Sequence, residues 1–309
     1  MKSCLPLLLL AGLAACRPPA APQLPSVASG RVVRHADFPS RHVDARHVDV
    51  WLPAGYSPAQ RYAVLYMHDG QMLFDSTTTW NRQEWKADET AGRLIASGQI
   101  PPCIVVGVWN NGEYRAAEYF PEAPLDSLAP AQREAGLAAH FKGGKALADE
   151  YLLFLTQELK PWIDSAYSTL PDAAHTFVMG SSMGGLISMY ALCEYPEVFG
   201  GAACLSVHWP MGRPDKLDEG PLRAAQEAFF AYLRSSLPLR QGNRLYYDIG
   251  TETLDSLYLP YQLRADSMLA GLEFPAGSWR SEIYEGTDHS ERSWAGRLEV
   301  PMVFLMGKE

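Results

Sequence analysis

The chain contains no run of lysines or arginines, and its 309 residues carry a formal net charge of −9. A basic face for nucleic acid is thereby excluded, and polyanionic partners are disfavoured. Cysteine is scarce, with five residues and no Cys-x-x-Cys spacing, which argues against a disulfide framework or a zinc site. Cys103, Cys193 and Cys204, the three in the folded part, read as buried free thiols. No apolar run reaches the ~20 residues that a membrane-spanning helix needs. No internal repeat is visible, and no Gly/Ser linker divides the chain. What is present is 47% hydrophobic and 20% charged, ordinary for a globular protein with a large core, and the length suits one sizeable α/β domain or two small ones.

The amino terminus differs from the rest. Lys2 precedes an uncharged apolar stretch from Leu5 to Ala15, which has the length of an export-signal core. It closes on Leu13-Ala14-Ala15-Cys16, which resembles a bacterial lipobox and implies cleavage before Cys16 and lipid attachment to its sulfur. An ordinary secretory signal, cut a few residues later, is the alternative. Residues 16–27 are rich in Pro and Ala and read as an extended tether. The expected organisation is a signal peptide over 1–15, a tether over 16–27 and one domain over 28–309. Arg17 after the cysteine favours an outer-membrane anchor over retention at the inner membrane; a periplasmic location is the other possibility.

Short apolar runs ending in Gly, Asn or Asp alternate with helical patterns through the rest of the chain. His47 to Pro53 alternates polar and apolar residues, as an antiparallel edge strand does. Tyr62 to Gly70, Cys103 to Asn110, Thr176 to Gly180, Gly201 to Val207, Arg244 to Gly250 and Ser281 to Gly286 read as buried central strands. Between them, Leu147, Tyr151, Phe154, Leu155, Leu159 and Trp162 share one helical face, and helices also fit Leu186 to Glu194, Leu222 to Arg234 and Leu254 to Leu269. Strand–helix alternation after an antiparallel entry predicts a mostly parallel, doubly wound α/β sheet. Ligands of such sheets bind beyond the carboxyl ends of the strands.

The stretch Gly180-Ser181-Ser182-Met183-Gly184 fits G-x-S-x-G, and it lies between a predicted strand and a predicted helix. That setting is the one a nucleophile elbow requires: the sharp turn exposes the serine hydroxyl, and the helix amino terminus aims the Met183 N–H at a developing oxyanion. A serine needs a base, and the order in this fold is Ser, acid, His. Downstream of Ser182 the only histidines are His208 and His289. His208 comes too early for that order and reads as a pocket or loop residue, so His289, past the last predicted strand, is the expected base. The acid is expected after the strand ending at Gly250. Glu252 and Asp255 both qualify, with a narrow preference for Glu252; Asp248, inside the strand, and Asp288, beside the base, are weaker candidates. A second oxyanion donor is expected from the Gln71 or Met72 N–H in the loop after the early strand. His68 and Asp69 in that loop have no third ligand nearby in sequence and do not make a metal site.

Four stretches, beginning at Tyr66, Gly180, Tyr246 and Gly286, together resemble the putative-esterase family of α/β-hydrolases. That family includes esterase D-like carboxylesterases, feruloyl and acetyl-xylan esterases, siderophore esterases and mycolyltransferases. The resemblance implies an α/β-hydrolase fold, Ser182 as nucleophile, His289 as base, a variable acid and no cofactor. Asn110, Asn111 and Arg115 lie at a strand's carboxyl end, and Trp209 and His208 near another, where a small-molecule or carbohydrate ester is expected to bind. The expected chemistry is ester hydrolysis through an acyl-enzyme. Transfer of the acyl group to an acceptor alcohol, and a non-catalytic glycan- or siderophore-binding lipoprotein, are the competing readings.

Overall fold

Eight strands form one sheet in the order β1-β2-β4-β3-β5-β6-β7-β8. A computed structural model describes residues 23–210, 220–237 and 242–307. The expected signal, Cys16 and most of the expected tether therefore lie outside the described residues. The strands are β1 (Arg31–Phe38), β2 (Arg46–Leu52), β3 (Ala63–His68), β4 (Cys103–Val108), β5 (Thr176–Ser181), β6 (Gly201–Leu205), β7 (Arg244–Gly250) and β8 (Trp279–Tyr284). β1, β2 and β4 pair antiparallel; every other neighbouring pair is parallel. The six strands β3 to β8 match the six runs read from sequence, and β2 matches the alternating one. β1 was not foreseen. Its half-exposed, charge-bearing sequence RVVRHADF carries no apolar run because it is an edge strand with little to bury. β2 is consequently the second strand and buried on both faces.

The helices among the described residues are α1 (Ala87–Ala96), α2 (Arg115–Glu118), α3 (Pro130–His140), α4 (Ala148–Leu153), α5 (Lys160–Ala166), α6 (Met183–Glu194), α7 (Gly220–Ser236), α8 (Leu254–Ala270), α9 (Glu291–Ala295) and α10 (Glu299–Met306). The long helix expected around Tyr151 and Leu159 is realised as α4 and α5 joined by a π turn over Phe154–Leu159. Pro161 has no N–H for the carbonyl of Gln157, and the wider turn accommodates that loss. Two apolar cores cover the two faces of the sheet. One contains Tyr66, Val106, Tyr151 and Leu186; the other contains Leu65, Met67, Trp85, Met179 and Trp294. Cys103, Cys193 and Cys204 are free and buried.

The chain is docked onto this body from Ser26, just before the expected start of the domain. The Ser26 N–H donates to Asp75 at 2.8 Å, and the Ala28 and Ser29 N–H groups donate to Asp88. At the other end of the molecule's construction, all parallel strands deliver their carboxyl ends to one side. The loops after β3, β5, β6, β7 and β8 meet there.

Candidate active site

Ser182 sits between the end of β5 and the first residue of α6 with φ 55° and ψ −119°, a conformation a serine rarely adopts. The backbone around it is fixed from three sides. Its N–H donates to Leu205 O, and its own carbonyl accepts from Gly185, Leu186 and His208. Gly180 is required by this turn: a Cβ there would stand 2.7 Å from the carbonyl of Gly184 in α6. The strain is held by surrounding packing, as at many functional turns, and Ser182 itself remains partly accessible. Met183 opens α6, so its N–H has no helical carbonyl behind it.

His289 lies in the turn between β8 and α9. Its Nδ1 is 2.6 Å from Asp255 Oδ1, and both side chains are nearly sealed from solvent, at 9% and 0% exposure. The other carboxylate oxygen, Oδ2, accepts from the Ser206 hydroxyl at 2.7 Å and from the Gly250 N–H at 2.8 Å. Ser206 in turn accepts from Trp294 Nε1 at 3.0 Å and from Arg297 Nη2 at 2.9 Å. Gly250 leaves the space in which this crossing occurs, since a Cβ would lie 2.3 Å from Thr287 O and 2.7 Å from Asp255 Oδ2. The His289 ring is wedged edge-on between Tyr258 and Trp294. Its backbone N–H donates to Thr253 Oγ1 at 2.9 Å.

Asp255, and not the narrowly preferred Glu252, is thus the carboxylate on His289. Thr253 has φ 54° and ψ −126°, nearly the conformation of Ser182, and this second sharp turn opens α8. The turn sends Glu252 outward to solvent and brings Asp255, in the first turn of the helix, inward. The two weaker candidates are engaged elsewhere. Asp248 pairs with Arg297 at 2.9 Å, and Asp288 accepts from Ser290 and Ser293.

The loop after β3 turns at Asp69, which has φ 56°. Met72 N–H donates to Asp69 O at 2.9 Å and is therefore spent, contrary to its expected availability; Gln71 N–H has no backbone partner among the described residues. Asp69 holds Arg115 through two bonds of 2.7 Å and accepts a third from Asn110 Nδ2 at 2.7 Å. Burial alone would raise the Asp69 carboxyl, but the Arg115 charge and these bonds outweigh it and hold the group below the usual range. A Cβ on Gly184 would lie 3.6 Å from Asp69 Oδ2, so this ion pair abuts the first turn of α6. Asn110 and Arg115, both expected to meet substrate, are brought together on Asp69. Asn111 instead reaches out to Asp44, and Trp209 is fully buried, stacked on Phe230 and bonded to Gln262. Trp209 at 0% exposure has no surface to offer a substrate, and sequence does not separate a core residue after a strand end from one that rims a pocket. His68 is buried and bonded to Tyr151 at 2.9 Å, with its pKa lowered to about 3 mainly by burial. Among the described residues no three His, Cys, Asp or Glu side chains are grouped to hold a metal.

A mostly parallel sheet with an antiparallel entry, a strained serine turn after β5 and an imidazole–carboxylate pair from the segments after β7 and β8 fit the α/β-hydrolase class. The model of the Putative esterase family matches residues 41–300, and the chain belongs to that family. Among curated proteins it is 26% identical over 172 residues to the ferri-bacillibactin esterase of Bacillus subtilis, covering 53% of this chain and 54% of the relative. It is 31% identical over 166 residues to an endo-1,4-beta-xylanase/feruloyl esterase of Xylanibacter ruminicola, covering 51% of this chain and 19% of the relative. The chain thus spans about half the length of the Bacillus relatives it matches, and less of the Xylanibacter one. Among solved structures, a ferulic acid esterase superposes with a TM-score of 0.60 at 19% identity, covering 89% of this chain and 98% of the other. The ferric enterobactin esterase of Salmonella typhimurium gives 0.64 at 18% identity, covering 93% and 62%.

Proposed function

We propose that the protein hydrolyses carboxylic esters through an acyl-enzyme on Ser182, with His289 as general base and Asp255 as the carboxylate orienting it. Ser182 Oγ attacks the ester carbonyl as its proton passes to His289 Nε2, and the Met183 and Gln71 N–H groups hold the oxyanion. The alcohol leaves with that proton; water then attacks the acyl-enzyme by the same route and releases the acid. Asp255, bonded to Nδ1, keeps the base lone pair on Nε2 and stabilises the imidazolium. The observation that carries this reading is the buried 2.6 Å bond between His289 Nδ1 and Asp255, supplied by the segments after β8 and β7, at the same end of the parallel sheet as Ser182 after β5. The substrate class it best fits is the ester of an aromatic hydroxy acid or of a siderophore, which is what the named relatives act on. The Arg115–Asp69 pair beside the serine turn supports an oxygen-rich substrate. The Leu13–Cys16 sequence supports export and a lipid anchor at Cys16 in the cell envelope.

The experiment is hydrolysis of 4-nitrophenyl butyrate and of methyl ferulate by wild type and by Ser182→Ala. Activity in the wild type and its loss below about one part in 10³ in the variant are expected. Equal rates in the two proteins would overturn the assignment.

A further inference from the structure

One wall of the site holds a histidine that the proposed reaction does not use. His208 follows β6, and its backbone N–H donates to the carbonyl of Ser182 at 3.1 Å, which seats it directly against the nucleophile turn. Its Nδ1 is 2.6 Å from the hydroxyl of Tyr258, whose ring stands edge-on between the His208 and His289 rings. The phenol is protonated, because burial first and the Asp255 charge second raise its pKa. The imidazole is neutral: burial, then the charges of His289 and Arg115, lower its pKa to about 3.

A neutral imidazole has two tautomers, and the Tyr258 hydroxyl selects between them. Among the described residues the Tyr258 hydroxyl has no other acceptor, so its proton goes to His208 Nδ1. A neutral ring that accepts at Nδ1 carries its own proton on Nε2. That Nε2–H has no partner among the described residues, and the side chain retains some solvent exposure. It is therefore an unspent donor beside Ser182.

Its neighbours share that character. Arg115 spends Nε and Nη2 on Asp69, and its Nη1 has no partner among the described residues. Gln71 accepts from the Asn110 N–H through Oε1, and its amide Nε2 has no partner among the described residues. Among the described residues most acceptors of the same wall are engaged. Both Asp69 oxygens accept, Asn110 Oδ1 accepts from Gly112, and Glu291 accepts from Asn81 through Oε2, which leaves its Oε1 the one oxygen of these two carboxylates without a donor among the described residues. Unspent donors that outnumber the unspent acceptors favour a ligand that brings acceptors of its own.

We propose that His208, fixed as an Nε2–H donor by Tyr258, is a specificity-determining residue that binds an acceptor oxygen of the substrate other than the ester carbonyl. The preferred substrates are accordingly esters bearing an ether, carbonyl, hydroxyl or carboxylate oxygen close to the scissile bond, and hydrocarbon esters are poorer. This inference rests on the hydrolase reading and narrows its substrate class.

The test uses two matched pairs of esters in the purified protein. One is 4-nitrophenyl butyrate against 4-nitrophenyl methoxyacetate, with the extra oxygen in the acyl group. The other is butyl butyrate against 2-methoxyethyl butyrate, with the extra oxygen in the alcohol. Each ratio of kcat/KM is compared between wild type and variant, so intrinsic reactivity cancels. His208→Leu is expected to lower the preference for the oxygenated member about fivefold in at least one pair, the worth of one neutral hydrogen bond. His208→Gln, whose amide donor falls near the position of Nε2, is expected to restore it. Tyr258→Phe removes only the hydroxyl, keeps the ring and serves if His208→Leu does not fold; the same loss of preference is expected. An unchanged ratio in both pairs for His208→Leu and Tyr258→Phe overturns the proposal while the hydrolase reading stands. A wild-type protein that cleaves none of the four esters overturns the hydrolase reading instead.

Discussion

Replacing Asp255 by asparagine is the substitution whose outcome the hydrogen-bond network dictates most fully. Ser206 already accepts from Trp294 and Arg297, so its own proton goes to Asp255 Oδ2, and the Gly250 N–H points at the same oxygen. Two donors thus fix which side of an asparagine must be its carbonyl oxygen. The amide nitrogen then faces His289 Nδ1, at the present 2.6 Å position of a carboxylate oxygen. Nδ1 must accept from it, the ring proton moves to Nε2, and Nε2 loses the lone pair with which it would take a proton from the serine. Reversing the asparagine restores the tautomer only by setting two buried N–H and O–H donors against an NH₂ group, which costs about 1–3 kcal/mol for each unsatisfied donor. The wrong tautomer is therefore the dominant state. A loss of about 10⁴-fold in kcat follows, the size seen when a triad aspartate is made asparagine elsewhere. Glu252→Gln, altering an exposed side chain, is expected to stay within about twofold of wild type. Steady-state hydrolysis of 4-nitrophenyl butyrate by the two variants provides the comparison. An Asp255→Asn enzyme keeping a tenth of wild-type kcat, or a Glu252→Gln enzyme losing two orders of magnitude, would refute the reasoning.

Two further outcomes are expected. Thr253 combines a φ of 54° with a hydroxyl that accepts from the His289 N–H; Thr253→Ser keeps that bond and is expected within about twofold of wild-type kcat, whereas the isosteric Thr253→Val is expected to lose about five- to tenfold through a displaced base. Equal rates for the two would remove Thr253 from the positioning of His289. The second concerns acid stability. His208 is neutral in the fold down to about pH 3, while the unfolded chain protonates it near pH 6.5, so the unfolded state binds the extra proton in between and stability falls as pH is lowered. His68, also lowered to about 3, acts in the same direction. Asp88, pushed up to about 7 by burial and by Glu89, and Glu122, pushed up to about 7 by burial, act oppositely between pH 4.5 and 7. The comparison of His208→Gln with wild type isolates one ring: urea unfolding is expected to show the variant gaining on wild type by about 1.4 kcal/mol per pH unit from pH 6 to 4. A stability difference independent of pH would contradict the neutral, donor-fixed imidazole.

Much of this architecture was legible because each core strand announces itself. Val64 to His68, Cys103 to Val108 and Thr176 to Ser181 are buried on both faces and read as unbroken apolar runs. The serine turn was legible because Gly180 is placed by a backbone approach to Gly184 that tolerates no side chain, and such a requirement leaves a trace in sequence. The choice between Glu252 and Asp255 was not. It depends on the sign of one torsion, at Thr253, and a β-branched residue is the last to suggest a positive φ. Ser206 left no signal at all. Nothing local marks a serine whose hydroxyl joins Asp255, Trp294 and Arg297 from segments far apart in the chain. Met72 looked as available as Gln71 until the short 3₁₀ turn over Gly70–Met72 spent its N–H. The first strand was missed because an exposed edge has no apolar pattern to display.

The central claim is that the hydroxyl of Ser182 becomes covalently bonded to the substrate's acyl group. A fluorophosphonate reagent followed by peptide mass mapping tests it directly. One phosphonyl adduct per chain is expected, located on Ser182, absent from Ser182→Ala and formed at least about a hundredfold more slowly in Asp255→Asn. Labelling that persists in Ser182→Ala, or that maps to another residue in wild type, would contradict the account.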